Sequence, residues 1–442
     1  MSILIKNILL QQEITDIFIE GNSIREVGKS LACTAQKIID GKGKAVIPGL
    51  INGHTHAAMT LARGYGDDIP LEQWLNERIW PYETNLTPED VYWGTKLACL
   101  EMIKSGTTCF CDMYTYFDST AKATEEMGLR AVLAATMFDY FDKKQAAAVK
   151  QQMLNCFGRK KKYGNRIIFA LGPHAIYTVS TDSLRWCRNF AQENGLFIHL
   201  HLAETQSEYN NALQQLGLSP VRYLHKHGLL SPRLIIAHGV WVDEEEIRLL
   251  ADYGVSVVHN PNSNLKIASG YQFKYEEMKA AGITVCLGTD GCASSNSLDM
   301  IETMKTAALM QKAWRFDATA MPAEEVLDCA TVNGAKMLQL NIGKIAPNCL
   351  ADLCLVDLNS PAFTPNFNFV SNLIYAANGS CIDTVICDGK VLMENKYVPG
   401  EEEIMQKAAA VAYDLMKKPT NVIAKNEANI NENKDKRHNE QS

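Results

Sequence analysis

This sequence of 442 residues has no long apolar run, no signal-like N-terminus and no basic patch. No stretch reaches the roughly 18 to 20 uninterrupted apolar residues that a membrane-spanning helix needs, and MSILIKNILL lacks the basic and apolar regions of a secretory signal. The formal net charge is −7, and the basic run Arg159 to Lys162 contains no aromatic residue. We therefore expect a cytoplasmic protein without a nucleic acid or membrane partner, and the sequence leaves open whether it forms a homo-oligomer.

Paired cysteine motifs are also missing. The thirteen cysteines follow no regular framework, and the close pairs Cys109 with Cys111 and Cys349 with Cys354 do not make two CxxC motifs. We expect reduced, mostly buried thiols. With 47% apolar and 21% charged residues, the composition is that of a globular protein with a large core.

Both ends of the chain have the pattern of short β-strands. Near the N-terminus ILIKNILL alternates, and DIFIEGNSIREVG indicates a hairpin turning at Gly21-Asn22. Near the other end ADLCLVDL indicates a strand, and TVICDGKVLMENKYV indicates a hairpin turning at Asp388-Gly389. The sequence thus predicts a small β-sandwich domain made from residues 1–47 and 343–400. A helix over 401–418 and a disordered tail over 419–442, rich in Asn, Lys and Glu, are expected to follow.

Residues 48–342 alternate short apolar runs with segments of helical periodicity. The first run is VIPGLINGHTH, and seven others follow it: TTCFCDM, AVLAATM, IIFALG, LFIHLHL, LIIAHG, VSVVHN and ITVCLGTD. Eight strand–helix units in this length predict an α/β fold, a closed (β/α)8 barrel of the TIM type. The alternative is a doubly wound open sheet, but no G-x-G-x-x-G follows the first strand.

The histidines are concentrated at one end of the predicted barrel. Seven of the ten lie on or just past the C-terminal ends of predicted strands: His54, His56, His174, His199, His201, His238 and His259. Asp290 joins them at the end of the eighth strand. Strand ends of this kind meet at the catalytic face of a barrel. Because buried imidazoles need polar partners, a shared site explains the cluster better than packing does.

His54 and His56 lie two residues apart, on one face of an extended chain, and so place two nitrogen ligands side by side. The third ligand is ambiguous, since His199 and His201 project to the same side of the fifth strand. His201, nearer the end of the strand, is favoured, which leaves His199 as an interior residue with a hydrogen-bonded ring. Three imidazoles and one carboxylate suit zinc, with nickel, iron and cobalt as alternatives.

Six motifs together closely resemble the amidohydrolase superfamily: PGLINGHTHAAM, GPHAIYT, HLHLAET, AHGVWV, HNPNSNLKIASG and LGTDGCASSNSLDM. The combination of GPHAIYT, LAET and SSNSLDM resembles, more narrowly, the 5′-methylthioadenosine/S-adenosylhomocysteine deaminases, from about Ser2 to Val398. The resemblance implies four metal ligands: His54, His56, His201 and Asp290.

The same resemblance implies roles for the polar residues around the metal. Glu204 corresponds to the residue that handles the ring nitrogen of the substrate, and His238 to the imidazole that orients the attacking water. Asp290 is expected to accept a proton from that water as well as to bind metal. His174 and Glu83 correspond to substrate contacts, with Glu83 at the ribose hydroxyls.

Two details of the sequence bear on the preferred substrate and on the number of metal ions. Relatives often place an arginine after the third strand, whereas DYFDKKQAAAVK offers Lys143 and Lys144, so the preferred 5′ substituent is open. Binuclear amidohydrolases carry a carboxylated lysine at the end of the fourth strand, which here reads ALGPH. One divalent metal ion per subunit is therefore expected.

The activity that the resemblance implies is hydrolytic deamination of the adenine ring of S-adenosylhomocysteine or 5′-methylthioadenosine, with adenosine as a further candidate. Attack by a metal-activated hydroxide would give the inosine analogue and ammonia, with Glu204, His238 and Asp290 as the catalytic residues. The alternatives are a guanine or 8-oxoguanine deaminase and a triazine-type chlorohydrolase. A non-catalytic metal-binding protein is disfavoured, because the predicted metal ligands and the predicted proton donor, Glu204, are all present.

Overall fold

The computed structural model describes residues 1–418; the predicted disordered tail, 419–442, lies outside the described residues. Sixteen strands are labelled β1 to β16 in chain order: Ser2–Leu10, Glu13–Glu20, Ser23–Gly28, Lys37–Asp40, Lys44–Pro48, Leu50–Thr55, Thr107–Tyr114, Arg130–Met137, Ile167–Pro173, Ile198–Leu202, Leu234–His238, Ser256–His259, Thr284–Leu287, Leu353–Asp357, Ile382–Cys387 and Lys390–Met393. They form two eight-stranded sheets, one central and one made by the ends of the chain.

The central sheet contains β6 to β13 in sequence order, and its neighbouring strands pair in parallel. Its strands are buried almost throughout, as expected for a parallel sheet covered on both faces. The side chain of Asn52 joins the first strand to the last, because its Nδ2 donates to Thr289 Oγ1 at 2.7 Å and its Oδ1 accepts the Thr289 N–H at 3.1 Å. The Asp290 N–H also donates to the carbonyl of His54 at 3.0 Å. The predicted (β/α)8 barrel is confirmed.

Seventeen α-helices, α1 to α17, connect and cover the strands: Leu71–Trp74, Trp80–Glu83, Pro88–Lys104, Phe117–Met127, Lys143–Arg159, Thr181–Asn194, Gln206–Leu216, Pro220–Lys226, Glu244–Asp252, Pro261–Lys266, Tyr275–Ala280, Cys292–Ser295, Met300–Arg315, Ala323–Cys329, Val332–Leu338, Phe369–Tyr375 and Glu401–Lys417. The local sequence explains where many of these helices begin and end. The α9 helix begins with a capping box between Asp243 and Glu246. The α6 helix ends at Gly195, which has a φ of +63°.

The second sheet brings the two ends of the chain together, as predicted. Its order is β16-β15-β14-β5-β1-β2-β3, and β4 pairs with β1 in parallel. The two predicted hairpins are present as the antiparallel pairs β2–β3 and β15–β16. Side chains from seven of its strands share one apolar cluster, which includes Ile5, Ile17, Ile39, Leu355 and Ile386. The strands therefore enclose a core of their own as a sandwich does, although they are linked in a single sheet.

The C-terminal helix α17 packs on the segment that follows β6. Its buried side chains Ala408 and Leu415 share an apolar cluster with Trp74, Ile79 and Leu86. Trp74 and Ile79 thus face the protein core. All thirteen cysteines are unpaired and twelve of them are buried, in agreement with the expected reduced thiols. None of the helices within residues 1–418 is long and apolar enough to cross a membrane.

Candidate metal centre

Four predicted ligands converge at the C-terminal rim of the barrel. His54 and His56 come from the end of β6, His201 from β10, and Asp290 from the turn after β13. Asp290 Oδ1 lies 3.4 Å from His54 Nε2 and 3.3 Å from His56 Nε2, and His56 Nε2 lies 3.2 Å from His201 Nε2. The tertiary structure therefore gathers side chains that are up to 236 positions apart, from residue 54 to residue 290.

Each of the three imidazoles is oriented through its other ring nitrogen. His56 Nδ1 donates to the carbonyl of Met113 at 2.6 Å, and His201 Nδ1 donates to the carbonyl of His174 at 3.0 Å. His54 Nδ1 lies 3.0 Å from His199 Nε2. Partners of this kind fix the orientation of each ring and leave its Nε2 available as a ligand, as around metal-binding histidines generally.

Asp290 is held in one orientation by three neighbours. The hydroxyls of Ser263 and Ser294 donate to its Oδ2 at 2.7 and 2.9 Å, and the Gly291 N–H donates to its Oδ1 at 2.8 Å. Its backbone has a φ of +61° in the left-handed region, a conformation that is sparsely populated and concentrated at functional sites in proteins. Oδ1 is thereby presented to the imidazole nitrogens.

Three of the separations between these ligand atoms match those around a tetrahedral divalent ion, and His54, His56 and Asp290 form one group of possible metal ligands. Nitrogen and oxygen ligands bound to zinc at about 2.0 to 2.1 Å lie about 3.3 to 3.4 Å from one another, and the separations here are 3.2 to 3.4 Å. His54 Nε2 is buried and has no hydrogen-bonding partner in the protein, as expected of an atom that binds an ion. Burial lowers the pKa of His54 to about 4, so its imidazole is neutral at pH 7, the form that binds metals.

The other histidines of the rim are of two kinds: some adjoin this cluster, and one, His259, packs in the core. His199 touches His54 and belongs to neither group of possible ligands, whereas His201 belongs to one of them. His259 stacks on Phe273 with ring centroids 4.0 Å apart, is 1% exposed, and lies outside both groups of possible ligands. Among the described residues, His54, His201 and His238 form a second possible ligand group.

Glu204 and His238 lie together beside the metal ligands. His238 Nε2 is 3.8 Å from Glu204 Oε2, and its Nδ1 is 2.8 Å from the side-chain oxygen of Asn264. Burial raises the pKa of Glu204. Burial by itself would lower the pKa of His238, but the carboxylates of Glu204 and Asp290 raise it. A carboxyl group and an imidazole, both with raised pKa values, thus adjoin the cluster.

Glu83 and His174, the other two predicted substrate contacts, also lie at this rim. Glu83 is the last residue of α2, and its Oε1 accepts the hydroxyl of Tyr114 at 2.7 Å. The ring of His174 lies 4.8 Å from that of His201, and its Nδ1 is 2.9 Å from Thr178 Oγ1. Burial raises the pKa of Glu83 and lowers that of His174 to about 3.

Several residues that support the site were missed in the sequence. Ser263, Ser294, Asn264 and Tyr114 each bond a predicted site residue through a side chain. Ser263 and Asn264 lie in the motif HNPNSNLKIASG, and Ser294 lies in SSNSLDM, so the motifs mark the right segments. Their spacing does not reveal which atoms meet. The strand β9 contains no lysine, as expected for a site with one metal.

A barrel that gathers imidazoles and a carboxylate at its C-terminal rim belongs to the class of metal-dependent barrel enzymes. The model of the amidohydrolase family matches residues 45–392, and the chain belongs to that family. A protein of Methanoregula boonei named 5′-deoxyadenosine deaminase is 46% identical over 426 residues, which cover 94% of this chain and 96% of the relative.

Two further relatives agree with this family. A protein of Archaeoglobus fulgidus named 5-methylthioadenosine/S-adenosylhomocysteine deaminase 1 is 46% identical over 420 residues, or 93% of this chain and 99% of the relative. The crystal structure of an adenosine deaminase from Xanthomonas campestris with bound zinc has a TM-score of 0.89 and 32% identity. It covers 94% of this chain and 99% of its own. The predicted family and fold are thereby confirmed.

Proposed function

We propose that the protein is a zinc-dependent deaminase of the adenine ring of S-adenosylhomocysteine, 5′-methylthioadenosine and related adenine nucleosides. The observation that carries this proposal is a cluster in which Asp290 contacts His54 and His56 and His56 contacts His201, with His238 and Glu204 beside it. The relatives named as deaminases of 5′-deoxyadenosine, 5′-methylthioadenosine, S-adenosylhomocysteine and adenosine support the substrate class over guanine or triazines.

The reaction replaces the 6-amino group of adenine by oxygen from water and releases ammonia. A zinc ion held by His54, His56, His201 and Asp290 would lower the pKa of a water molecule from about 15.7 to near 7. Asp290, whose Oδ2 is fixed by two serines, would accept the proton that the water loses and pass it to the amino group, which leaves as ammonia. Burial raises the pKa of Glu204, which favours its protonated form. Glu204 would deliver a proton to N1 of the ring as C6 is attacked and take up the hydroxyl proton of the adduct as ammonia leaves.

The remaining predicted residues orient the reactants. His238, fixed by Asn264, holds the attacking oxygen and stabilises the charge of the tetrahedral adduct. Glu83, fixed by Tyr114, binds the ribose hydroxyls, and His174 contacts the base. The rim of the barrel thus has two parts: the adenine ring reacts near Glu204, and the ribose binds near Glu83.

Further parts of the proposal concern the whole chain. We propose one zinc ion per subunit, a cytoplasmic location, and no nucleic acid or membrane partner, with a homo-oligomer as a possible assembly. The proposed division places residues 1–47 and 343–400 in the β domain and 48–342 in the barrel, followed by the helical segment 401–418. Its support is that β1 to β5 and β14 to β16 share one sheet.

The decisive experiment is ammonia release from a panel of nucleosides and bases, with metal content measured on the same samples. We expect turnover of 5′-deoxyadenosine, 5′-methylthioadenosine, S-adenosylhomocysteine or adenosine and none of guanine or cytosine. Fully metallated protein that deaminates no adenine nucleoside would overturn the substrate class. Full activity of Glu204→Gln would overturn the proposed acid.

A further inference from the structure

The carboxyl group of Glu204 has a neighbour that the proposed mechanism does not use. The hydroxyl of Ser269 donates to Glu204 Oε1 at 3.3 Å. Ser269 is 4% exposed and the side chain of Glu204 is 12% exposed, so water hardly competes for this contact. A distance of 3.3 Å is at the long end for a hydrogen bond between two oxygens, but catalytic hydrogen bonds tighten when the substrate binds. Ser269 thus stands beside one particular oxygen of the proposed acid.

The backbone of Ser269 is fixed on both sides. Ser269 lies in the loop after α10, where its N–H donates to the carbonyl of Asn264 at 2.9 Å. Its own carbonyl accepts the indole N–H of Trp241 at 2.7 Å. Because an indole has a single donor and no acceptor, this bond also fixes the plane of the Trp241 ring. The hydroxyl of Ser269 is therefore presented from a rigid support.

Trp241 connects this support to the two residues that carry the chemistry. The backbone N–H groups of Val240 and Trp241 both donate to the carbonyl of Ala203 at 2.9 Å. Ala203 directly precedes Glu204 and has a φ of +53°, a backbone conformation that such bonds must maintain. Val240 and Trp241 follow His238 in the loop after β11. Trp241 thus joins the backbone beside Glu204, the loop that follows His238 and the loop after α10.

The residue after Ser269 has to be a glycine for these loops to pack together. Gly270 has a φ of +148°, and a Cβ at this position would lie 2.9 Å from Val240 Cγ1 and 3.1 Å from Trp241 Nε1. The missing side chain lets the loop lie directly against the indole. The close approach explains why the motif HNPNSNLKIASG ends in glycine.

The two oxygens of Glu204 have different surroundings. Oε1 faces the hydroxyl of Ser269, whereas Oε2 lies 3.8 Å from His238 Nε2. A protonated carboxyl group has one oxygen that carries the proton and one that only accepts. A hydroxyl that donates to Oε1 makes Oε1 the accepting oxygen, so the proton resides on Oε2. That oxygen is on the side of His238, where the proposed function places the attacking oxygen.

We propose that Ser269, held by Trp241, is a positioning residue that keeps Glu204 Oε1 as an acceptor and makes Oε2 the oxygen that exchanges protons with the substrate. This inference rests on the proposed deaminase function. The proton on Oε2 passes to N1 of the adenine ring as C6 is attacked, and Oε2 then takes up the hydroxyl proton of the adduct as ammonia leaves. Because the same oxygen makes both transfers, Glu204 ends the cycle protonated and does not have to rotate.

The first test removes the hydroxyl in the zinc-loaded protein. In Ser269→Ala we expect kcat for deamination of 5′-methylthioadenosine to fall about tenfold with KM and the melting temperature nearly unchanged, because the lost contact orients a group that acts in the transition state. Ser269→Thr keeps a hydroxyl and should restore most of kcat. Trp241→Phe removes the indole N–H but keeps an aromatic ring, and it should lower kcat by a smaller factor.

Matched controls come from two side chains that lie elsewhere in the barrel. The hydroxyl of Ser183, in α6, and the indole nitrogen of Trp314, in α13, are buried and have no hydrogen-bonding partner within residues 1–418. Ser183→Ala and Trp314→Phe therefore repeat the same changes of side chain without breaking a hydrogen bond. We expect both variants to keep the kcat and KM of the wild type.

The second test asks whether Ser269 acts through Glu204. Ser269→Ala is combined with Glu204→Gln, and the residual kcat/KM is measured with a high enzyme concentration and long incubation. A residue that acts only by orienting the acid has nothing left to orient, so the second change should cost no further activity. Losses that multiply would show that Ser269 acts on the substrate or on the loop itself, and would overturn the inference.

The outcomes separate the inference from the function on which it rests. If no adenine nucleoside is deaminated, or if Glu204→Gln is fully active, the proposed function fails. If Ser269→Ala keeps the kcat of the wild type, or raises KM as much as it lowers kcat, the inference fails while the deaminase stands. A melting temperature of Ser269→Ala that falls together with kcat, without recovery of kcat in Ser269→Thr, would show a structural role and would also overturn the inference.

Discussion

The carboxylate of Glu208 accepts the backbone N–H of Glu204 at 2.8 Å and that of Ala203 at 3.0 Å. Glu208 is the third residue of α7, where a glutamate usually bonds the N–H of its own helix cap. Glu246 makes that usual bond, to Asp243, at the start of α9. Glu208 reaches further back instead and fixes the backbone of the proposed acid.

Replacing Glu208 should therefore impair catalysis more than folding. In Glu208→Gln the amide can accept one of the two N–H groups but not both, so Glu204 loses part of its support. We expect kcat to fall by about 10- to 100-fold, because small displacements of a catalytic group are costly. Steady-state kinetics and metal content check this, with Glu246→Gln as the matched buried control. Equal losses of kcat in the two variants would contradict the positioning role.

Glu208 should also make stability depend on pH. Burial raises its pKa from 4.5 to about 7, so the folded protein binds more protons than the unfolded chain between these values, and stability falls as pH rises through this window. At about 1.4 kcal/mol for each unit of pKa, the shift of Glu208 contributes about 3 kcal/mol to the free energy of unfolding at low pH. Histidines with lowered pKa values, such as His54 and His174, act in the opposite direction, but they do so in both proteins. Urea unfolding at pH 4.5 and pH 7.5 should therefore show that the stability of the wild type relative to Glu208→Gln declines by this amount. Parallel pH profiles would refute the assignment.

Removal of the metal should lower both activity and stability. An ion that binds only the folded chain stabilises it by about 4 kcal/mol when present at a thousandfold excess over its Kd. Chelation should thus lower the melting temperature, and one equivalent of zinc per chain should restore it. His54→Asn should melt at the chelated temperature whether or not zinc is added. A melting temperature unaffected by chelation, in protein shown to be metal-free, would contradict a site at His54.

The opposite end of the barrel contains a buried ion network that should matter for folding alone. Arg130, the first residue of β8, contacts Asp352 at 3.1 Å and Asp388 at 3.1 Å, and the Arg130 and Asp352 side chains are 4% and 1% exposed. Removing one partner of such a pair costs about 3 to 5 kcal/mol. Denaturant unfolding of Asp352→Ala should show this loss, while kcat at 25 °C stays unchanged. The exposed pair Asp414 and Lys417 provides the control, with a loss below about 1 kcal/mol.

Much of the architecture and the approximate site followed from local patterns. Apolar runs became β6 to β13 because a strand buried on both faces needs continuous apolar residues. The turn residues at Gly21 and Asp388-Gly389 marked both hairpins of the second sheet, because tight turns require positive φ there. Strand ends of a parallel barrel share one face, so histidines at those ends were expected to meet.

The pairing of atoms within the site could not be read in the same way. His199 and His201 differ by one step of strand periodicity and look alike in the sequence. Only the curvature of the barrel brings His201 Nε2 to 3.2 Å from His56 and leaves His199 against His54. Ser263, Ser294 and Glu208 are common residue types whose partners depend on how separate loops pack.

The sequence by itself determined which residues line the rim, since strand order and alternation are local and periodic properties. It determined the pair His54 and His56 for the same reason. Only the tertiary structure decided which ring nitrogens face one another and that Glu208 bonds the backbone of Glu204. Those contacts join loops far apart in the chain, and their distances depend on closure of the whole barrel.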